Sequence, residues 1–380
     1  MSAGGPIQLT DAQRLAWLRL IRSENIGPAT FRELLNHFGS AGTALEELPK
    51  LSRRGGATRR LRIATLDEAE RELQRTRDAG ADIVALGEAA YPEHLARIDA
   101  PPPLLTLRGN GPGLARRPTV AIVGARNASV AGRKMAERIA SGLEASGYVV
   151  VSGLARGIDA AAHGAALRGG TVGVIAGGID HVYPEENRDL YARIVASGGA
   201  ILTEMPHGWM PRAQDFPRRN RLISGMSLGV VVIEAAERSG SLHTARFALD
   251  QGREVMAVPG SPLDPRSAGT NSLIRAGAVL IRSEADVIEA LTPMIGRAMP
   301  VSRSERTAIR EGGPAAGEDA DIREAERAIV TEALGPSPVE IDEIIRMTGL
   351  PASSVQLILI ELEIAGRLER HGNGRLVSLQ

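Results

Sequence analysis

The sequence predicts an α/β fold whose centre is a Rossmann-like, doubly wound and mostly parallel sheet. From residue 120 onwards, short β-branched runs alternate with helical stretches, and strands are expected at 120–123, 148–152, 171–175, 200–203, 230–233 and 254–258, with 279–282 as a further candidate. Such runs are typical of a parallel sheet that helices cover on both faces. Each strand leads into a loop of small or basic residues, and these loops meet at the edge of the sheet where ligands bind.

Length and composition limit the other possibilities. A chain of 380 residues exceeds the usual size of one hydrophobic core, so two or three domains are expected. Lys+Arg and Asp+Glu each number 45, so any site for a polyanion must be local. The chain has no cysteine, which excludes disulfides, thiolate nucleophiles and cysteine-ligated metals. Without a signal-peptide pattern or an apolar run of about 20 residues, a cytoplasmic protein with no membrane insertion is expected.

Residues 1–75 are expected to form a helical domain of the SAM or helix-hairpin-helix type. Two groups of apolar residues recur at helical spacing: Leu15, Leu18 and Ile21, and then Phe31, Leu34, Leu35 and Phe38. The turn between them, Asn25-Ile26-Gly27-Pro28-Ala29, is similar to half of a helix-hairpin-helix, whose backbone N–H groups can contact a DNA phosphate. Such turns also join purely structural helices, and this interpretation is favoured because one turn is a weak signal.

The large domain is placed at 76–295, and its first part differs from the rest. Two strand-like runs, 82–86 and 104–108, flank Pro101-Pro102-Pro103. Because proline cannot donate to a central ladder, this part is expected to be a connecting or edge segment.

The C-terminal part predicts a linker at 296–320 and a winged-helix domain at 321–380. The linker is rich in Gly, Ala, Pro, Arg and Glu without apolar periodicity. Helices near 322–334, 340–348 and 353–365 precede a hairpin at 367–379 that turns at Asn373-Gly374. The expected recognition helix carries Glu361 and Glu363 and no basic residue, so this domain is expected to contact protein rather than DNA.

The loop after the first parallel strand is suited to binding a phosphate. It reads Val123-Gly124-Ala125-Arg126-Asn127-Ala128-Ser129 and leads into a helix. Glycine lets the backbone approach a phosphate, the helix N-terminus offers free N–H groups, and Arg126 can add a bidentate contact. The three-glycine dinucleotide pattern is missing, which disfavours a nicotinamide or flavin cofactor. A plain structural turn is the alternative; phosphate binding is favoured because the design recurs in neighbouring loops.

The next two loops are less specific. The first of them is Ser152-Gly153-Leu154-Ala155-Arg156-Gly157-Ile158-Asp159, and His163 follows one helical turn later. Asp159 and His163 share a helix face and could form an acid/base pair or part of a metal site. A helix cap that bonds a neighbouring loop is favoured, because no further ligands lie nearby. The other loop, Ala176-Gly177-Gly178-Ile179-Asp180, admits a ligand but specifies none.

Two later segments add basic, aromatic and hydroxyl groups. The first, Asp215-Phe216-Pro217-Arg218-Arg219-Asn220-Arg221, combines arginines for phosphates with a ring for bases. The second ends in Ser239-Gly240-Ser241-Leu242-His243-Thr244, where Ser241 and Thr244 can cap the next helix or donate to an anion. The serines lack a histidine base, the carboxylates are scattered and no metal-ligand spacing occurs. No catalytic residue, cofactor or metal is therefore expected.

Together these motifs resemble the DprA family, also called Smf, the DNA-processing proteins of bacterial transformation. The resemblance covers nearly the whole chain and is also carried by Tyr183-Pro184-Glu185-Glu186-Asn187, Val258-Pro259-Gly260 and Asn271-Ser272-Leu273-Ile274-Arg275-Ala276-Gly277-Ala278. It implies a non-catalytic protein that binds and protects single-stranded DNA and helps to load the RecA recombinase onto it. It also implies a homodimer that forms through the large domain.

The motifs and the resemblance together predict a DNA site that draws on four of these segments. Its residues are Gly124, Ala125, Arg126, Asn127, Ser129, Gly153, Arg156, Arg212, Phe216, Arg218, Arg219, Asn220, Arg221, Ser239, Ser241 and Thr244. Family members often have serine or threonine in place of Ala125, and lysine shortly before the phenylalanine, where this chain has Arg212. Arg126 and Arg219 are expected on ligand-side loops outside the core, so replacing either by alanine should weaken DNA binding without unfolding the protein.

A nucleotide-processing enzyme is the alternative function. A related Rossmann-like family cleaves the glycosidic bond of nucleoside monophosphates, and its strand-loop plan resembles that of this chain. Its signature is a paired-glycine loop with a threonine and a catalytic glutamate. The equivalent stretch here, 239–244, lacks the glutamate.

Overall fold

The computed structural model describes residues 7–114, 116–295, 324–371 and 376–379. These residues divide into two compact units. The first unit contains those within Glu72–Ile98 and Leu104–Val301, and the second contains those within Ile7–Arg71, Asp99–Pro103 and Ser302–Gln380. The predicted boundaries at 75, 295 and 320 stay predictions. The predicted linker at 296–320 and the turn at Asn373-Gly374 lie outside the described residues.

A nine-stranded sheet forms the centre of the first unit, with the strand order β1-β2-β6-β5-β4-β3-β7-β8-β9. The strands are β1 (Ala81–Ala85), β2 (Leu104–Gly109), β3 (Thr119–Val123), β4 (Val149–Ser152), β5 (Thr171–Val174), β6 (Ala200–Thr203), β7 (Gly229–Val232), β8 (Glu254–Ala257) and β9 (Val279–Leu280). All neighbours from β6 to β9 in this order pair in parallel, which confirms the predicted sheet. The order runs outward from β3 in both directions, so the topological switch point lies between β3 and β7.

The first two strands extend this sheet on one side. β1 pairs antiparallel with β2, and β2 pairs antiparallel with β6. β1 is therefore one edge strand of the sheet, whereas β2 has a neighbour on each side. The prediction of an edge segment is confirmed for β1 and not for β2.

Apolar residues cover both faces of the parallel strands. On β3, Ala121 and Val123 belong to one buried cluster, whereas Val120 and Ile122 belong to the other. Because neighbouring side chains of a strand point to opposite faces, a run without polar residues must be buried on both sides. The helices of the unit supply the two covers. They are α5 (Glu93–Ala96), α6 (Gly111–Leu114), α7 (Val130–Ala145), α8 (Ile158–Ala165), α9 (Arg188–Ala196), α10 (Asp215–Gly225), α11 (Ser241–Asp250), α12 (Ala268–Arg275) and α13 (Glu284–Leu291), and α4 (Leu66–Asp78) spans the division between the units.

The second unit combines helices from both ends of the chain with a small sheet. Its helices are α1 (Asp11–Arg22), α2 (Pro28–Phe38), α3 (Ala41–Arg54), α14 (Glu324–Glu332), α15 (Ile341–Thr348) and α16 (Ala352–Ile364). A three-stranded sheet of order β10-β12-β11 is formed by β10 (Val339–Glu340), β11 (Leu368–His371) and β12 (Leu376–Leu379). No described helix combines the length and the apolar character that crossing a bilayer requires.

The expected recognition helix, α16, lies inside this second unit. It packs on α3 so closely that a Cβ at Gly55 would lie 1.9 Å from the carbonyl oxygen of Glu361. The Glu361 carboxylate is buried and accepts two hydrogen bonds from the Arg327 guanidinium, at 2.7 and 3.1 Å. Asn25, in the turn between α1 and α2, donates from its side-chain amide to the carbonyl of Ile364 at 3.0 Å. The carboxylates of α16 are thus paired inside the protein, and the N-terminal turn packs against the end of the same helix.

Candidate nucleic-acid interface

The loops after β3 and β4 approach each other backbone to backbone. The N–H of Ile158 donates to the carbonyl of Ala125 at 3.2 Å. Gly157, which precedes Ile158, has φ +76, and a Cβ there would lie 2.3 Å from the same carbonyl oxygen. Only glycine allows both this backbone conformation and this distance. Gly157 therefore determines how the predicted phosphate loop lies beside its neighbour.

Ser129 caps α7 and is occupied by contacts within the protein. Its hydroxyl accepts from the N–H of Gly132 at 2.8 Å and donates to the carboxylate of Glu234, which also accepts from the N–H of Ser129. Glu234 follows β7, so these bonds connect the loops on the two sides of the switch point. Both the hydroxyl and the N–H of Ser129 already have partners, and Ser129 does not line the cavity described below.

Asp159 and His163 have structural roles. The Asp159 carboxylate accepts the N–H groups of Gly153 at 3.1 Å and Ala155 at 3.2 Å, and burial raises its pKa. His163 is fully buried, its Nδ1 lies 2.8 Å from the hydroxyl of Thr171, and burial lowers its pKa to about 3. The predicted hydrogen bonds to a neighbouring loop are confirmed. The predicted helix cap is wrong, because the helix begins after Gly157 without a side-chain cap and Asp159 bonds the preceding loop instead. Within the described residues, no group of three or more His, Asp or Glu side chains could hold a metal ion.

Arg219 forms part of the floor of the site. Its side chain donates to the carbonyls of Gly153 and Val174, at the ends of β4 and β5, and only 6% of the residue is exposed. Burial lowers its pKa to about 10, although the nearby Asp159 carboxylate acts in the opposite direction. Its Nε has no hydrogen-bond partner among the described residues. The expectation that Arg219 lies outside the core is wrong, because its guanidinium completes the hydrogen bonds of two strand ends.

The other arginines near α10 point to different partners. Arg218 and Arg221 both pair with the buried carboxylate of Glu204. Arg212, before the helix, places its guanidinium 4.6 Å from the centre of the Trp209 ring. None of these three arginines lines the cavity, so the structure does not place them with Arg126 and Arg219.

An arginine and two aromatic rings form a stack at the mouth of the site. The exposed guanidinium of Arg126 lies 5.2 Å from the centre of the Phe216 ring. The Tyr183 ring lies 5.3 Å from Phe216, centre to centre, at an interplanar angle of 58°. Arg126 comes from the loop after β3 and Phe216 from α10, so the stack joins two of the predicted segments.

The loop after β7 completes the wall on the other side of the switch point. The hydroxyls of Ser239 and Ser241 lie 2.7 Å apart, and α11 begins at Ser241. Asn220 on α10 donates from its side-chain amide to the carbonyl of Gly240 at 3.3 Å. The N-terminus of α11 therefore faces the same space as the loop after β3.

These segments enclose a cavity of about 950 Å³ at the carboxyl ends of the strands. A small cavity of about 20 Å³ adjoins it and shares Arg126, Phe216 and Arg219 with it. The predicted site residues that line one or both are Gly124, Ala125, Arg126, Asn127, Gly153, Arg156, Phe216, Arg219, Asn220, Ser239, Ser241 and Thr244. Ser129, Arg212, Arg218 and Arg221 do not line either cavity.

The large cavity also has lining residues that the sequence analysis did not assign to the site. Among them are Tyr183, Arg238, His243 and Arg266. Tyr183 and Arg238 could have been found from their loops, because both follow a parallel strand, but Arg266 lies in a segment without a motif. With them, the lining has four arginines, Arg126, Arg219, Arg238 and Arg266, and one aspartate, Asp159.

Three family models match separate parts of the chain. DNA recombination-mediator protein A matches residues 82–292, the DprA-like N-terminal HHH domain matches residues 11–74, and the DprA winged helix domain matches residues 314–374. The last two matches confirm the predicted helical and winged-helix parts of the fold.

Relatives and solved structures agree with these matches. DprA of Bacillus subtilis (strain 168) is 42% identical over 223 residues, which cover 58% of this chain and 75% of the relative. Protein Smf of Synechocystis is 30% identical over 387 residues, which cover 94% of this chain and 97% of the relative. The structure of DprA from Streptococcus pneumoniae has a TM-score of 0.60 and 33% identity, and covers 74% of this chain and 98% of that protein.

A second solved structure concerns the single-stranded DNA binding mode of DprA from Helicobacter pylori. It has a TM-score of 0.51 and 28% identity, and covers 56% of this chain and 96% of that protein. From the family matches and the relatives together, the chain belongs to the DNA recombination-mediator protein A family, the DprA/Smf proteins.

Proposed function

We propose that this chain binds single-stranded DNA in the large cavity and acts there without catalysis. The observation that carries the proposal is the charge of the cavity lining, which contains four arginines and a single aspartate. One of these arginines, Arg126, also stacks on the aromatic ring of Phe216. That aspartate, Asp159, already accepts two backbone N–H groups, so it opposes a polyanion less than a free carboxylate would. A volume of about 950 Å³ lies in the range of pockets that enclose small organic ligands and is sufficient for a nucleotide unit.

In this proposal, one set of lining groups binds the phosphates of the strand and another set binds its bases. The backbone amides after β3, the N-terminus of α11 and the guanidinium of Arg126 bind phosphate oxygens. The rings of Phe216 and Tyr183 offer a stacking surface to a base, a contact that contributes roughly 1–3 kcal/mol for each base. Because the bases of a duplex already stack on one another and are paired, this surface favours a single strand.

The relatives support the same ligand. The H. pylori DprA is described for its single-stranded DNA binding, and the family to which this chain belongs is described as a recombination mediator. We propose in addition that the chain helps to load RecA onto DNA in natural transformation, forms a homodimer through the large domain, and works in the cytoplasm, where RecA and incoming DNA meet.

Fluorescence anisotropy with a labelled oligonucleotide tests DNA binding. Neutralising about three phosphates should give a slope near −2 when log affinity is plotted against log salt concentration, because each phosphate of a single strand contributes about 0.7. A duplex of the same length should bind more weakly. Equal affinity for both forms, or an affinity that salt does not change, would contradict the proposal.

Arg126→Ala tests the placement of the site. We expect an affinity about 10- to 150-fold lower, because a hydrogen bond to a charged group is worth roughly 1.5–3 kcal/mol. The salt slope should be smaller by about 0.7. Arg71→Ala is the matched control, since Arg71 is an exposed arginine that pairs with Asp67 on α4. The unfolding midpoint should not change in either variant. A wild-type salt slope in Arg126→Ala would show that Arg126 does not contact a phosphate.

Two further assays separate the proposal from its alternatives. Incubation with nucleoside monophosphates, followed by chromatography, should release no free base, whereas steady release would establish the nucleotide-processing enzyme. A mobility-shift assay with single-stranded DNA should give a slower complex when RecA is added. A complex of unchanged mobility would reject the RecA part and leave DNA binding intact.

A further inference from the structure

A loop next to the large cavity is held in a fixed conformation by buried and backbone groups. The carboxylate of Asp215 accepts the indole N–H of Trp209 at 2.9 Å and the backbone N–H of Arg212 at 2.8 Å, and Asp215 itself is buried. The carbonyl of Trp209 accepts the N–H of Gly178 at 2.9 Å. The Trp209 ring is therefore positioned before any ligand arrives, which lowers the entropic cost of a contact.

The same loop carries an arginine that keeps its charge available. Arg212 is exposed, lies 4.6 Å from the centre of the half-buried Trp209 ring, and pairs with no carboxylate among the described residues. Arg218 and Arg221, by contrast, share the carboxylate of Glu204. Of these three arginines, Arg212 is thus the one that has no carboxylate partner among the described residues and keeps its full charge for a phosphate.

Trp209 and Arg212 lie at the rim of the cavity. Pro211 and Ala213, on either side of Arg212, both line the cavity. Met210, between Trp209 and Pro211, is 71% exposed and extends the apolar surface outward. A strand that leaves the cavity along this rim would meet Trp209 and Arg212 next.

We propose that Trp209 and Arg212 form a second binding site for a nucleotide of the same single strand, in which the indole stacks on a base and the guanidinium pairs with a phosphate. The inference rests on the proposed binding of single-stranded DNA. The pair repeats the chemistry of Arg126 and Phe216, where a guanidinium lies over an aromatic ring in the same way. Two such pairs offer two stacking surfaces and two phosphate contacts, which suits a strand in which bases and phosphates alternate. A single nucleotide would use only one pair.

Tryptophan fluorescence gives a direct test, because the chain has only two tryptophans. Trp17 is 0% exposed and lies in the second unit, so the W17F variant reports Trp209 alone. Titration of W17F with an oligonucleotide should quench Trp209 in parallel with the rise in anisotropy. W209F, which retains Trp17, should bind with little change in emission. This measurement needs no change at Trp209 and is independent of whether Trp209 variants fold.

A second test compares the DNA affinity of the Trp209→Ala variant with that of the wild type. We expect the affinity of the variant to be about 5- to 100-fold lower for a long oligonucleotide and unchanged for one short enough to fill only the cavity. Phe216→Ala should weaken both, and Leu263→Ala, at a side chain that is 94% exposed, should weaken neither. If W17F binds DNA without quenching and Trp209→Ala keeps its affinity, the second site is wrong while the proposed function stands. If the wild-type chain binds no oligonucleotide, the proposed function fails and the second site fails with it.

Discussion

At the scale of single residues, the arginines between 212 and 221 differ because their neighbours differ. Arg219 is buried beside Asp159 and bonds the ends of two strands, while Arg218 and Arg221 neutralise Glu204. Arg212 instead lies on an aromatic ring at the surface. The same side chain thus serves as a structural crosslink, as a counter-ion or as a free cation, depending on which groups surround it.

Removal of Arg219 should cost stability as well as DNA affinity. Arg219→Met leaves the Asp159 carboxylate buried without its nearby cation, and breaking a buried pair in this way costs roughly 3–5 kcal/mol. Adding Asp159→Asn should restore part of the loss, since it removes the unpaired charge. Urea unfolding of the wild type, both single variants and the double variant, followed by Trp209 fluorescence, gives the four free energies of a double-mutant cycle. Strictly additive losses would mean that the two charges do not interact.

The buried His163 should make stability depend on pH. Its pKa is about 3 in the folded protein against an ordinary value of 6.5. As the pH falls from 6.5 towards 3, the unfolded chain takes up a proton at this histidine and the folded chain does not. Stability is therefore lost over that range, by about 1.4 kcal/mol for each pH unit, and nothing is lost above it.

The test of this pH dependence compares two histidine variants. His163→Gln should flatten the fall in unfolding free energy between pH 6.5 and 4, whereas His243→Gln, at an exposed position, should keep the wild-type slope. His94, whose pKa burial lowers to about 4, leaves a residual slope in both variants. An unchanged slope in His163→Gln would mean that His163 takes up its proton in the folded state as well.

At the scale of elements, the site depends on how closely the loops after β3 and β4 approach. Gly157 and Gly147 both have a left-handed φ, of +76 and +87, but only Gly157 has backbone where a Cβ would lie. Gly147→Ala should cost about 1–2 kcal/mol of stability and leave DNA affinity unchanged. Gly157→Ala should cost more and also lower the affinity, because the phosphate loop must move. Anisotropy titrations of both variants check this, and equal affinities would show that the loop contact is not needed for binding.

The elements themselves were predictable from local patterns. The β-branched runs at 120–123 and 230–233 predicted strands correctly because their lack of polar residues requires burial on both faces. The structural role of Asp159 followed from its position one helical turn before His163 and from a lack of further ligands. The strands and the role of Asp159 were predictable because each depends on residues that are close together in the sequence.

The side-chain partners in the site were not predictable in the same way. The pairing of Arg218 and Arg221 with Glu204 joins α10 to the end of β6, and the burial of Arg219 depends on the ends of β4 and β5. Neither follows from the charge run 218–221 alone, which is compatible with an exposed helix face. Arg266 was missed for the same reason, since only the folded chain brings it to the cavity.

At the scale of the whole molecule, the two ends of the chain form one compact unit. Arg370 on β11 pairs with Glu33 on α2 and with Glu363 on α16, and the guanidinium is nearly buried. Together with the close contact between α3 and α16, these pairs join the N-terminal helices to the winged helix. Within this unit α16 packs against both α2 and α3.

Arg370→Met should therefore destabilise the second unit and leave the first unchanged. Two carboxylates lose their partner, one of them on each side of the contact, and we expect a loss of about 3 kcal/mol. Trp17 reports the second unit and Trp209 the first, so urea unfolding of the two single-tryptophan proteins separates the effects. Arg59→Met, which breaks an exposed pair with Glu24, should change the unfolding free energy of neither unit by more than about 1 kcal/mol. A shift reported by Trp209 in Arg370→Met would mean that the two units unfold together.

The packing of α16 on α2 and α3 decides how the chain can be shortened. A truncated protein that ends at residue 295 would keep the N-terminal helices but expose the apolar faces that α16 normally covers, which favours aggregation. Deleting the first 71 residues alone would uncover α16 in the same way. Only removal of both termini together leaves no uncovered apolar surface of this kind, so a minimal DNA-binding fragment should be trimmed at both ends or at neither.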